Sequence, residues 1–78
     1  MILTKHGNKR IKQRLGLPKR AHFKHIKKVL KQGVVYIKNG YKELKIIHDG
    51  FLYIFAFSDT KEPIFITTFK DEEVTLLF

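Results

Sequence analysis

Cysteine is absent from these 78 residues. The chain therefore carries no disulfide and no thiolate metal site. No apolar run approaches the roughly 20 residues that a membrane-spanning helix needs. The opening Met1-Ile2-Leu3-Thr4-Lys5 lacks the apolar core of a signal peptide. A cytoplasmic, non-membrane protein is expected. No internal repeat and no low-complexity linker divides the chain, so residues 1–78 read as one domain.

Acid is also missing from the first third. Met1 to Gly33 holds eleven of the sixteen Lys and Arg (Lys5, Lys9, Arg10, Lys12, Arg14, Lys19, Arg20, Lys24, Lys27, Lys28, Lys31) and none of the seven Asp and Glu. The rest holds five lysines and all seven acids, so the net charge of +9 divides into +11 in front and −2 behind. Such asymmetry calls for a polyanion or an acidic protein surface as partner.

What is present suffices for a small core. Hydrophobic residues make up 44% of the chain, with seven Phe and three Tyr, which argues against disorder. A chain of this length buries only about 60% of the surface its unfolded form exposes. Homodimerisation would be one way to bury more.

Along residues 1–33 the apolar period is helical. Thr4 suits a helix N-cap, because its hydroxyl can accept from a free first-turn N–H. The helix is expected to run to about Leu15, with Ile11 and Leu15 as its stripe and Gly7 allowing close approach. Gly16 suits the left-handed position past the helix end, and Pro18 the first turn of a second helix. Phe23, Ile26, Val29 and Leu30 form that helix's expected buried stripe, and Gly33 ends it.

After Gly33 the period changes to 2. Val34–Lys38, Tyr41–His48, Phe51–Phe57 and Ile64–Phe69 read as strands, joined by Asn39-Gly40, by Asp49-Gly50 and by a polar loop from Ser58 to Pro63. Both dipeptides suit two-residue turns with positive φ. Lys70-Asp71-Glu72-Glu73 reads as a charged turn, and Val74–Phe78 as a short edge strand or a packed end. The expected fold is α+β: a basic helical part (1–33) on an antiparallel meander of four or five strands (34–78).

Four groups are candidates for function. His6, Arg10 and Arg14 recur every four residues, on one face of the first helix beside its apolar stripe. Guanidinium groups grip phosphate in bidentate fashion, and a histidine can move protons near neutral pH; the alternative is a solvated basic face. On the second helix, His22 and His25 stand among Arg20, Lys24, Lys27, Lys28 and Lys31. The cations there repel a metal ion, so no metal and no cofactor is expected, and phosphate contact competes with a solubilising face.

The row Phe51, Tyr53, Phe55, Phe57 shares one sheet face. It is read as core under the helices rather than as a stacking platform, with Tyr36, Tyr41 and Tyr53 as the better surface candidates. The acids Glu62, Asp71, Glu72 and Glu73 lie in turns without catalytic spacing, and no phosphate-binding glycine loop is present.

The series Thr4-Lys5-His6-Gly7-x-x-Arg10-x-x-x-Arg14, a second basic helix ending in Gly33, and a meander containing Tyr53-Ile54-Phe55 and Ile64-Phe65-Ile66-Thr67 together resemble small RelE/BrnT-like proteins of phages and other mobile elements of Gram-positive bacteria. The family's opening is Thr-Lys-His-Ala-x-x-Arg, and Gly7 here replaces the alanine. The resemblance implies a toxin-like α+β fold in a bacterial or phage-infected cytoplasm, with relatives that include metal-independent ribonucleases. Carried onto this chain, it makes His6 the proton-transfer residue and Arg10 and Arg14 phosphate clamps. The last strand, Val74-Thr75-Leu76-Leu77-Phe78, offers no further chemically competent side chain.

The resulting expectation is a nucleic-acid-directed protein, with RNA favoured over DNA and ribonuclease activity left open. Its interface would comprise Lys9, Arg10, Arg14, Arg20, Lys24, Lys27, Lys28 and Lys31. The alternative is a non-enzymatic phage anti-defence inhibitor, anti-CRISPR-like, that binds a host nucleoprotein complex.

Overall fold

The structure, a computed structural model, describes residues 1–70. The charged turn beyond Lys70 and the strand expected over Val74–Phe78 lie outside the described residues.

The chain runs β1 (Ile2–Leu3), α1 (Lys5–Leu15), α2 (Lys19–Gln32), β2 (Val34–Asn39), β3 (Glu43–His48), β4 (Phe51–Phe57) and β5 (Pro63–Lys70). The sheet order is β1-β5-β4-β3-β2. Both helices pack on the sheet, α1 over β5 and α2 over β3. The α+β class, with N-terminal helices on a meander, is as the residue periods indicate.

Local chemistry sets the helix ends. Thr4 is extended (φ −76°, ψ 159°), and its Oγ1 accepts from the Gly7 N–H at 2.9 Å. The same hydroxyl donates to the Phe65 carbonyl at 2.9 Å, so the cap also fastens α1 to β5. At the other end Gly16 takes φ 69°, and its N–H donates to Lys12 O at 3.1 Å. Gly7 is the close-approach residue: a Cβ there would stand 2.7 Å from Phe65 Cδ2, so a side chain would push α1 off the sheet.

The core lies between helices and sheet. Ile11, Ile26, Val29, Leu44, Ile46, Tyr53, Phe55 and Phe65 are its buried members. β4 is the middle strand of the five, which fits its uninterrupted apolar sequence; Leu52, on the sheet face opposite Tyr53, is also buried. The row Phe51, Tyr53, Phe55, Phe57 is core: Tyr53 and Phe55 are buried, and Phe51 and Phe57 pack against them.

Four expectations are corrected. The sheet is mixed rather than wholly antiparallel, because Ile2–Leu3 pairs in parallel with Ile64 and Phe65 of β5. A strand of two residues has no period to read, and its partner is 62 positions away. The β2–β3 connection is not a two-residue turn, since Asn39 stays in the ladder opposite Glu43 and Gly40-Tyr41-Lys42 forms the loop. By contrast Asp49-Gly50 does form the two-residue turn, with φ of 48° and 78° between paired His48 and Phe51.

Phe23 is not in the buried stripe of α2; it is 54% exposed, and His22 takes the inward place at 2%. Finally, Tyr53 is buried, whereas Tyr36 and Tyr41 are at the surface as expected.

Candidate nucleic-acid interface

Glu43, Glu62 and Asp49 make their ion pairs outside the two helices. Glu43 pairs with Lys45 of its own strand at 3.1 Å. Glu62 pairs with the amino group of Met1. Asp49 Oδ2 stands 3.3 Å from His48 Nε2. Because residues 1–33 contain no acid, the cations of α1 and α2 also have no acidic neighbour within their own helices.

The eight basic residues expected at the interface divide into three settings. Lys9, Arg20, Lys24, Lys27, Lys28 and Lys31 are exposed. Arg10 is half-buried; its Nε donates to His6 Nε2 at 3.3 Å and its Nη1 to Gln13 Oε1 at 3.2 Å. Arg14 has its guanidinium carbon 5.3 Å from the centroid of the Phe69 ring, near the end of β5. On the face expected to carry His6, Arg10 and Arg14, the first two are in contact.

A concavity lies along α2. Leu17, Ala21, Lys24, His25, Lys27, Lys28, Lys31 and Gln32 line an open groove of about 440 Å³. Positions 21, 25, 28 and 32 form one row of the helix surface by the three- and four-residue rule, and Leu17 of the preceding connection lies at its start. Lys24, Lys27 and Lys31 form the row beside it. The half-buried Leu17, Ala21 and His25 make the floor, and the four exposed lysines Lys24, Lys27, Lys28 and Lys31 make the rim.

The two histidines of α2 do different work. His22 faces inward, with Nε2 2.8 Å from Leu17 O and Nδ1 2.9 Å from Asn8 Oδ1. A carbonyl only accepts, so Nε2 carries a proton and donates. The ring clamps the α1–α2 connection to both helices, and in doing so fixes one end of the groove. Its membership of the stripe His22, Ile26, Val29 was readable from spacing alone, but the residue type argued for the surface.

His25 sits at the floor of the groove, and its Nε2 is 2.8 Å from the Tyr53 hydroxyl. Burial pushes the Tyr53 phenol well above its ordinary range, with Asp49 adding to the effect. The phenol keeps its proton and shares a hydrogen bond with Nε2. Burial also lowers the pKa of His25, reinforced by His48 and Lys28 and opposed by Asp49. The His48 ring lies edge-on at 6.4 Å. At neutral pH His25 is a neutral ring inside a cationic rim. Nothing in its sequence setting signalled this, because its partner is 28 positions away.

A pH effect follows from this environment. The unfolded His25 titrates near 6.5 and the folded one lower, so between these values the unfolded chain binds more protons. The stability from this site is complete above about pH 6.5 and is lost as pH falls through the folded value. Melting temperature should therefore drop from pH 7.5 to pH 5, and His25→Gln should flatten that dependence. Parallel curves for the two proteins would refute the contribution.

A smaller cationic–aromatic cluster stands at the other end of the sheet. Lys61 Nζ is 4.8 Å and Lys38 Nζ 5.8 Å from the Tyr41 ring centroid, and Phe57 meets the same ring edge-on at 5.4 Å. Sequence placed Tyr41 at the surface but not between two lysines.

No helix among the described residues is long and apolar enough to cross a membrane. No protein-family model, no curated protein and no solved structure matches this chain.

Proposed function

We propose that this is a nucleic-acid-directed basic protein that binds phosphates, RNA in preference to DNA, through the exposed surface of its two helices. The observation that carries the reading is the placement of Lys9, Arg20, Lys24, Lys27, Lys28 and Lys31, all exposed, on helices packed against one sheet with no acid among residues 1–33. Counter-ions condensed on a polyanion are released when such a surface binds, so the attraction is largely electrostatic. The resemblance to RelE/BrnT-like proteins supports the same direction. It does not bring a catalytic set with it: His6 is exposed and engaged with Arg10, so binding, not cleavage, is the function argued.

The test is a salt titration of binding to an RNA oligonucleotide by fluorescence anisotropy. The logarithm of the association constant should fall linearly with the logarithm of salt, with a slope of about −0.7 for each phosphate engaged on a single strand. Absence of binding at 50 mM salt overturns the proposal. Retention of a specific acidic host protein without RNA would replace it with the inhibitor reading.

A further inference from the structure

We infer that the groove along α2 receives an unpaired base of a single-stranded nucleic acid, with the flanking phosphates on the lysine rim. This inference rests on the nucleic-acid reading above and specifies the form of the ligand. Two properties of the groove favour a single strand over a duplex.

The first is the composition of its walls. Lys24, Lys27, Lys28 and Lys31 supply charge, and Leu17, Ala21 and His25 supply an apolar floor beneath it. A duplex offers its phosphates outward and keeps its bases stacked inside, so it satisfies the rim and leaves the floor facing a polar backbone. A single strand offers both chemistries side by side, and stacking on apolar and aromatic side chains is how sequence-tolerant single-strand binders gain affinity beyond charge. The flat, neutral ring of His25, held by Tyr53, supplies a surface against which a base can lie.

The second is size. A volume of about 440 Å³ is within the range of sites that enclose a small organic molecule, and so accommodates one nucleobase with its sugar. The rim is spaced to match: Lys24 and Lys28, and likewise Lys27 and Lys31, lie four residues apart, about 6 Å along the helix axis. Cations therefore stand on the solvent side of the groove for about two turns, where the strand enters and leaves. Charge complementarity selects an anion, and the apolar floor selects one with a flat unpaired body.

The experiment compares a single-stranded RNA of about 12 nucleotides, a length within the known range of single-strand sites, with the duplex of the same sequence. It uses the full chain and the variant Ala21→Gln. Glutamine is a good helix former, adds no charge and occupies the floor; a thermal melt of the variant checks that it folds. The expected result is binding of the single strand at least about tenfold tighter than the duplex, a gap that Ala21→Gln removes while leaving duplex affinity unchanged. Lys9→Gln, on α1 and not among the groove residues, should weaken both ligands alike.

Equal affinity for the two forms overturns the inference and leaves the proposed function standing. A single-strand preference that survives Ala21→Gln also overturns it, since the preference then arises elsewhere. Polyglutamate that competes as well as the single strand overturns it too, because the rim would then be reading charge alone. Failure to bind either RNA form at low salt removes the proposed function, and this inference with it.

Discussion

The variant Arg20→Glu/Lys24→Glu/Lys27→Glu/Lys31→Glu should lose RNA affinity by about two orders of magnitude or more at 0.15 M salt, with its fold intact. Each phosphate contact on a single strand contributes a slope of about 0.7. Four lost contacts at that salt therefore amount to about a factor of 10² before any repulsion from the new carboxylates is counted. The reversal takes the net charge from +9 to +1, so long-range attraction weakens as well.

All four positions are exposed, and exposed substitutions change stability by about 0.5 kcal/mol or less each. Lys28, three and four residues from the substituted positions 31 and 24, turns from a repelled to an attracted neighbour, while the pairs among the four substituted positions stay like-charged. Anisotropy titrations at several salt concentrations, beside a thermal melt, read both quantities. Affinity within a few-fold of the starting protein would mean that α2 is not the binding surface.

The largest effect on stability is expected at Phe65. Phe65→Ala should cost about 3–5 kcal/mol, the usual range for emptying a buried phenyl site. The whole domain is expected to be stable by only about 0.05–0.15 kcal/mol per residue, so this one change consumes a large part of the total. Three structural facts place the side chain at the centre. Its ring meets Tyr53 at 6.1 Å and Phe55 at 5.5 Å between centroids. It is fully buried. It fills the space left by the missing side chain of Gly7, so its removal opens a void that α1 cannot close without breaking the Thr4 cap. Urea denaturation followed by circular dichroism measures the loss. A change below about 1 kcal/mol would show that the centre of the core lies elsewhere.

Much of this architecture was legible because its signals are local. Thr4, Gly16, Pro18 and Gly33 punctuate the helices, and each acts through groups within four residues. Asp49-Gly50 dictates its turn by backbone conformation alone. The apolar run Phe51–Phe57 marks the middle strand, which has a neighbouring strand on each edge.

What was not legible is what depends on distant partners. The strand Ile2–Leu3 exists only through Ile64 and Phe65. The inward turn of His22 depends on Asn8 and the Leu17 carbonyl, and the hydroxyl of Tyr53 holds His25. The contact of Arg14 with Phe69 of β5 likewise joins residues far apart in the chain. Residue types showed the charge of the interface, whereas its groove required the fold.

The pairing of β1 with β5 also constrains the order in which the molecule can be completed. Ile2 meets Ile64, so the ends of nearly the whole described chain must come together, and closing such a span is entropically costly and slow. During synthesis α1 and α2 emerge before β2 to β5, and the apolar side of each waits for strands not yet made. The cationic side of those helices needs no such wait. A nascent chain can therefore meet a polyanion through its first third before the sheet that will support that surface exists.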